Sequence, residues 1–266
     1  MDNRPLGIFD SGLGGLTCIE PLLQALPNER ILYFGDTART PYGSKSPETI
    51  RSFSLQIADY LVGQGAKMLV IACNTISSTA IPDLQARYPH IPVAGIIQPA
   101  AREIARGCKK EDSIGIIGTK VTIQSRAYEE AVSRINPALT IHAKACPAFV
   151  PLIEEGIVEN EIMDLTVRHY LDDFISYHGI GTLVLGCTHY PLIRENLLKA
   201  YPAMRIIDPA QTLAQAVRET LEQQDMLAEE PGGPNVFGAS DLSENFVNLI
   251  HRIIRSRDFK IDLRKF

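Results

Sequence analysis

Two cysteines differ from the rest in where they lie. Cys73 closes the segment Lys67-Met-Leu-Val-Ile-Ala-Cys-Asn-Thr75, and Cys187 closes Gly181-Thr-Leu-Val-Leu-Gly-Cys-Thr-His189. Each segment reads as an apolar strand that stops at a thiol and a small polar residue, then enters a helix. Unpaired N–H groups and the helix dipole favour negative charge at such a turn, so a thiolate is stabilised there. The same groups, with Asn74, Thr75 and Thr188, suit a substrate carboxylate. A thiol of unperturbed pKa about 8.5 can act as thiolate base or thiol acid near neutrality. Two thiols on opposite sides of one carbon could remove a proton from one face and return another to the opposite face. That is inversion of a stereocentre, whereas acyl transfer needs one nucleophile and an oxyanion hole. Cys18, Cys108 and Cys146 lack this context and read as small buried hydrophobes.

Each thiol needs a group that sets its protonation. His189 lies two residues after Cys187, and Asp10, at the end of the first apolar run, could take the matching role for Cys73. Glu154, in Pro151-Leu-Ile-Glu-Glu-Gly156, is a carboxylate that spacing alone would put on a helix surface. The glycines of Asp10-Ser-Gly-Leu-Gly-Gly15 do not form GxGxxG, and no P-loop lysine follows them. They suit a tight strand-to-helix turn with close backbone approach to a small anion. Asp36-Thr-Ala-Arg-Thr-Pro-Tyr-Gly-Ser44 reads simply as a Pro/Gly-punctuated loop.

The elements that must position these groups follow from the apolar pattern. Strands are predicted at Leu6–Phe9, Ile31–Phe34, Met68–Ala72, Val93–Ile96, Ile114–Ile117, Leu183–Leu185 and Arg205–Ile207. Helices are predicted at Glu48–Val62, Pro82–Arg87, Ser125–Ile135, Glu161–Ser176 and Ala210–Glu222. Continuous apolar runs suit strands covered on both faces, so the alternation predicts an α/β fold with mainly parallel sheets. The two cysteine segments also resemble each other, and Gly7-Ile-Phe-Asp-Ser-Gly12 resembles Gly115-Ile-Ile-Gly-Thr-Lys120. The strand-to-cysteine separations are 66 and 72 positions. Two related units are therefore expected: residues 1–97, completed by 209–266, and residues 98–208. The tail carries the turn Glu230-Pro-Gly-Gly-Pro234, a short strand, and a helix with Phe246, Val247, Leu249, Ile250 and Ile253. It is too short to stand alone and should pack on the first unit. Ligands of open α/β sheets bind beyond the carboxyl ends of the strands. Asp10-Ser11, Cys73-Asn74-Thr75, Gly118-Thr119 and Cys187-Thr188-His189 would then share one interdomain cleft with pseudo-twofold symmetry.

The whole chain fits this picture. Its 266 residues are 45% hydrophobic and 21% charged, with a formal net charge of −5. Mild acidity and the absence of a basic cluster argue against a nucleic-acid partner. No run is long enough for a membrane span or a signal-peptide core, which makes the cytoplasm the expected compartment. Five cysteines without CxxC spacing read as reduced thiols. The histidines form no zinc pattern and no lysine has a Schiff-base setting, so neither metal nor cofactor is expected. A symmetric homodimer leaves no signature that the sequence alone would reveal. A cleft that merely captures an acidic amino acid would leave the paired cysteines without purpose, and a thiol-redox protein would join them as a disulfide.

The motifs FDSGLGGLT, GDTARTPYG, VIACNT, IIGT, ACPAFVPLIEEG and LGCTHYP, in this order, resemble those of the bacterial glutamate racemases, across essentially the full length. The resemblance implies two α/β domains with the active site between them. It implies interconversion of L- and D-glutamate without cofactor, supplying D-glutamate for peptidoglycan. By motif, Cys73 matches the acid/base on the D-glutamate side and Cys187 that on the L-glutamate side. Asp10 and His189 match the groups assisting them, and Glu154 a further acid near the second thiol. Asp10, Ser11, Tyr42, Gly43, Asn74, Thr75, Thr188 and His189 match substrate-binding positions, to which the strand-end Thr119 is added. The related aspartate racemases carry an acidic residue in place of His189, so glutamate is the expected substrate and aspartate the alternative.

Overall fold

The computed structural model describes residues 1–230, 232–253 and 258–266; Pro231 of the predicted turn lies outside them. Among the described residues, ten strands form two sheets, and every strand pair is parallel. The first sheet contains β1 (Leu6–Asp10), β2 (Ile31–Gly35), β3 (Met68–Ile71) and β4 (Val93–Gly95). The second contains β5 (Ser113–Gly118), β6 (Thr140–Ala145), β7 (Thr182–Gly186) and β8 (Arg205–Ile207). The chain then returns to the first sheet with β9 (Asn235–Ala239) and β10 (Phe259–Leu263), giving the orders β10-β9-β2-β1-β3-β4 and β6-β5-β7-β8.

The repeat expected from the sequence is present in the topology. The orders β2-β1-β3-β4 and β6-β5-β7-β8 are the same four-strand path traced twice. Register makes the equivalence residue by residue. Leu6 pairs with Ile31 and Met68, and Ile114 pairs with Ile141 and Thr182. Cys73 stands five residues after Met68 and Cys187 five after Thr182; Ser11 and Thr119 stand five after Leu6 and Ile114. In each sheet the chain leaves its first strand for one side and its third lies on the other. The β1/β3 and β5/β7 gaps are thus the topological switch points at which α/β sheets bind ligands. Both thiols sit there.

The central strands β1, β2, β3 and β7 are buried along their whole length, as their unbroken apolar runs require. Helices cover them and start on polar caps. Ser46 accepts from the Thr49 N–H ahead of helix Pro47–Gly63, and Asn160 caps Glu161–His178 through the Met163 N–H. Gly179, with φ of 61°, ends the latter in the left-handed conformation that glycine tolerates. One apolar core runs between the sheets, from Leu6, Ile8 and Met68 to Ile114, Ile116, Val184 and Ile207. Helices Ile97–Gly107 and Pro209–Gln223 contribute Ala100, Ala101, Ile104, Leu213 and Val217 to it. Phe246 and Ile250 of helix Glu244–Ile253 join it near Tyr33. The strands β6 and β10 were not expected. Both are outer strands whose side chains are mostly half-buried or exposed, so neither makes a continuous apolar run.

A buried ion pair ties the chain ends to the first sheet. Lys67 Nζ lies 2.7 Å from Glu29 Oε2 and donates to the carbonyls of Asp2 (2.5 Å) and Met226 (2.7 Å). Glu29 also accepts from the Ala228 N–H at 2.8 Å. Both side chains are out of solvent. Removing one partner leaves the other charge buried alone, which costs about 3–5 kcal/mol. Lys67→Met should lower the denaturation free energy by that order in a urea titration, and adding Glu29→Gln should restore part of it. An unchanged midpoint for Lys67→Met would contradict the role assigned to the pair.

Candidate functional site

The carboxyl ends of β1, β3, β5 and β7 converge on one small cavity. Its lining comprises Ser11, Tyr42, Gly43, Cys73, Asn74, Thr75, Thr119, Cys187, Thr188 and His189, with Pro41 and Val150. The first ten are all sequence-predicted site residues. Pro41 and Val150 were missed. A detectable signal existed for Val150: it stands four residues before Glu154 on helix Phe149–Glu154, hence on the same face. Asp10 and Glu154 do not line the cavity; they stand directly behind the residues that do. Its volume is about 20 Å³, space for a single water molecule. A much larger surface hollow, about 710 Å³, borders Asp164, Arg168 and Lys199. It contains neither cysteine.

Both cysteines are buried and free. On the second thiol's side a chain of contacts runs from sulfur to carboxylate. Cys187 Sγ lies 3.8 Å from His189 Nδ1, and His189 Nε2 lies 2.6 Å from Glu154 Oε1. Asn245 Nδ2 donates to the Glu154 carbonyl at 2.7 Å. Burial works against a charged imidazole, but the contacts with Cys187 and Glu154 outweigh it and raise the His189 pKa to about 10. These contacts favour a charged imidazole, with one ring nitrogen toward the sulfur and one toward the carboxylate. Gly14 makes room for the ring, since a Cβ there would stand 2.3 Å from Nδ1.

The first thiol has different company. Cys73 Sγ lies 3.5 Å from Ser11 Oγ, and burial followed by the Asp10 charge pushes its pKa up to about 12. Asp10 itself is fully buried; it accepts from the Gly12 N–H and the Thr188 hydroxyl, each at 3.0 Å. Burial raises Asp10 to about 6, with His189, Thr188 and Gly12 pulling the other way. The cavity thus holds Cys73 as a thiol with a titratable carboxyl behind it. Gly15 packs against Asp10, where a Cβ would meet the aspartate Cβ at 2.3 Å. The glycine-rich turn serves side-chain packing around Asp10 and His189 rather than a nucleotide.

The loop expected at 36–44 forms two short 3₁₀ turns, Thr37–Arg39 and Tyr42–Ser44, and delivers Tyr42 and Gly43 to the cavity. Buried Asp36 anchors it, accepting from Arg39 Nε at 2.6 Å, Ser240 Oγ at 2.7 Å and the Tyr42 hydroxyl. Gly43 meets Thr119, and a Cβ at Gly43 would stand 2.5 Å from that of Thr119. Thr119 in turn shares a hydroxyl contact of 2.9 Å with Thr75. Among the described residues, no group of three or more His, Cys, Asp or Glu side chains is placed to hold a metal ion. None of their helices is long and apolar enough to cross a membrane.

Residues 11–217 match the family model described as Asp/Glu/Hydantoin racemase. The chain is 44% identical over 254 residues to a glutamate racemase of Geobacter metallireducens, covering 94% of this chain and 93% of that one. It is 41% identical over 252 residues to a glutamate racemase of Neisseria gonorrhoeae, again covering 94% and 93%. Its fold is similar to the crystal structure of glutamate racemase from Francisella tularensis subsp. tularensis in complex with D-glutamate. The TM-score is 0.91 at 35% identity, covering 100% of this chain and 98% of that one.

Asp10 offers a test of the site's electrostatics that needs no substrate. Its folded pKa of about 6 lies above the ordinary 3.8, so its buried charge costs stability above pH 6. That cost is relieved as pH falls from about 6 through about 4, where the unfolded chain is also protonated. A shift of this size corresponds to about 2–3 kcal/mol. Asp10→Asn should therefore be more stable than wild type at pH 8 by that order, with the gap closing at pH 4. Equal urea midpoints at both pH values would refute the assignment.

Proposed function

The chain belongs to the Asp/Glu/hydantoin racemase family, and from that premise we propose that it interconverts L- and D-glutamate through two opposed thiols. One observation carries the mechanism: free Cys73 and Cys187 occupy equivalent places in two copies of one four-strand unit and line one cavity. A pair of acid/bases on opposite sides of Cα suits inversion there. The thiolate of one cysteine takes the Cα proton, and the thiol of the other donates its proton to the opposite face. The electron pair left on Cα by the first step forms the new C–H bond in the second. Cys73 acts on D-glutamate and Cys187 on L-glutamate, and the roles exchange in the reverse direction.

The helpers supply opposite kinds of assistance. Positive His189, backed by Glu154, draws negative charge to Cys187. Asp10 adds negative charge near Cys73, which makes its thiolate a strong base. The substrate ammonium offsets that charge when it arrives. Ser11, Tyr42, Gly43, Asn74, Thr75, Thr119, Thr188 and His189 surround the substrate. Asn74, Thr75, Thr188 and the turn N–H groups are suited to its carboxylates. A 20 Å³ cavity is far too small for glutamate, so entry requires the two lobes read from the sequence, residues 1–97 with 209–266 and residues 98–208, to part. The product serves peptidoglycan synthesis in the cytoplasm, a compartment in keeping with five free thiols.

Circular dichroism of either glutamate enantiomer with the purified protein tests this reading. The signal should decay to zero from both sides without added cofactor. Enantiomers have equal free energy, so each substitution must lower kcat/KM equally in both directions. Cys73→Ala and Cys187→Ala should each lower it by at least about 10²–10⁴-fold, the usual contribution of a general acid or base. Full activity in either variant would remove that thiol from the mechanism. Decay with aspartate alone would keep the thiols and change the substrate.

A further inference from the structure

Asn74 is the residue next to Cys73, and its amide is half satisfied. Its Oδ1 accepts a 2.6 Å hydrogen bond from the Tyr128 hydroxyl, while its Nδ2 has no partner. The residue is 2% exposed and lines the cavity. A buried amide nitrogen with nothing to donate to costs about 1–3 kcal/mol, and here it belongs to a group facing the cavity. Tyr128 lies outside the lining. It is carried by helix Ala127–Ile135, packs in the core that runs between the sheets, and is itself 1% exposed. We propose that Tyr128 is a positioning residue for the reaction: its hydroxyl fixes the Asn74 amide so that Nδ2 is reserved for a substrate oxygen. This inference rests on the racemase reading for the identity of that substrate.

The chemistry of the two groups sets the orientation. An asparagine amide has one acceptor and two donors at opposite ends. Tyr128 is held neutral, its pKa raised by burial first and by the Asp208 charge second, so it keeps the O–H that donates to Oδ1 in this geometry. A donor fixes the amide oxygen on its own side and turns the NH2 the other way. With phenylalanine at 128 nothing distinguishes the two ends. The flipped amide would present Oδ1 to a carboxylate, and like partial charges would repel. The bond also has a counterpart across the repeat. Thr17, after β1, shares its hydroxyl proton between the carbonyls of Gly14 (2.8 Å) and Thr188 (3.0 Å), and Thr188 adjoins Cys187. In each case a residue following the first strand of one unit grips the residue beside the cysteine of the other. Tyr128 differs in reaching a side chain whose free end faces the cavity.

The test is a double-mutant cycle on wild type, Tyr128→Phe, Asn74→Ala and the double variant. Calorimetry gives Kd for D-glutamate, circular dichroism gives KM and kcat, and thermal melts report folding. Tyr128→Phe should raise Kd and KM about 3–10-fold, the worth of one hydrogen bond, with kcat within about twofold. In the Asn74→Ala background the same change should have no further effect on Kd or KM. A lower melting temperature with unchanged Kd and KM would overturn the proposal and leave Tyr128 a packing residue. An equal rise in Kd with and without Asn74 would overturn it too, because Tyr128 would then act by another route. If wild type binds glutamate without racemising it, the racemase reading fails while the Kd cycle still decides the positioning role.

Discussion

Two thiols can address opposite faces of one carbon only if the carboxyl ends of two parallel sheets are held against each other. Everything else in the molecule depends on that juxtaposition. An apolar core running from Leu6 to Ile207 holds the units together from behind. Side-chain hydrogen bonds hold them at the front: Thr188 to Asp10, Thr75 with Thr119, and Tyr128 to Asn74. Each crosses from one repeat to the other. None of these bonds is strong alone, since a typical intramolecular hydrogen bond contributes about 1 kcal/mol net. That weakness suits the proposed parting of the two lobes.

The duplication explains the paired thiols but not their helpers. By register, the partner of Asp10 in the second unit is Gly118, and the partner of His189 in the first is Thr75. The scaffold is therefore symmetric while the electrostatics are not. One thiol has a buried carboxyl behind it and the other an imidazolium backed by a carboxylate. An asymmetric substrate makes such asymmetry useful. The reacting carbon carries an ammonium, a carboxylate and a side chain, and the two sulfurs approach it from differently charged surroundings.

Much of this was legible in the sequence for identifiable reasons. Most of the predicted strands are central, covered on both faces, and read as apolar runs; all seven are present, along with the short strand expected in the tail. Residues 140–145 and 259–263 escaped because outer strands alternate: Ile141 and Ala143 with His142 and Lys144, Phe259 and Ile261 with Lys260 and Asp262. Helix Ser125–Ile135 begins later than expected, at Ala127, because Arg126 takes the left-handed conformation with φ of 55° and separates it from Lys120–Gln124. The polar strand ends announced most of the cavity lining. Glu154 did not announce itself by spacing, since its value lies in a 2.6 Å contact with a residue 35 positions away. Tyr128 gave no signal at all. A buried tyrosine on a helix looks like core until its hydroxyl is traced to Asn74.

The two-thiol account is tested most directly by running the reaction in deuterium oxide and following label at Cα during the first few per cent of conversion. Starting from L-glutamate, one thiol removes the proton and the other, already exchanged with solvent, delivers deuterium to the opposite face. The account predicts product D-glutamate carrying one deuterium at Cα and recovered L-glutamate still carrying hydrogen, with the mirror result from D-glutamate. Product that retains the original hydrogen, or substrate and product labelled alike from the start, would mean a single base serving both faces and would contradict the account.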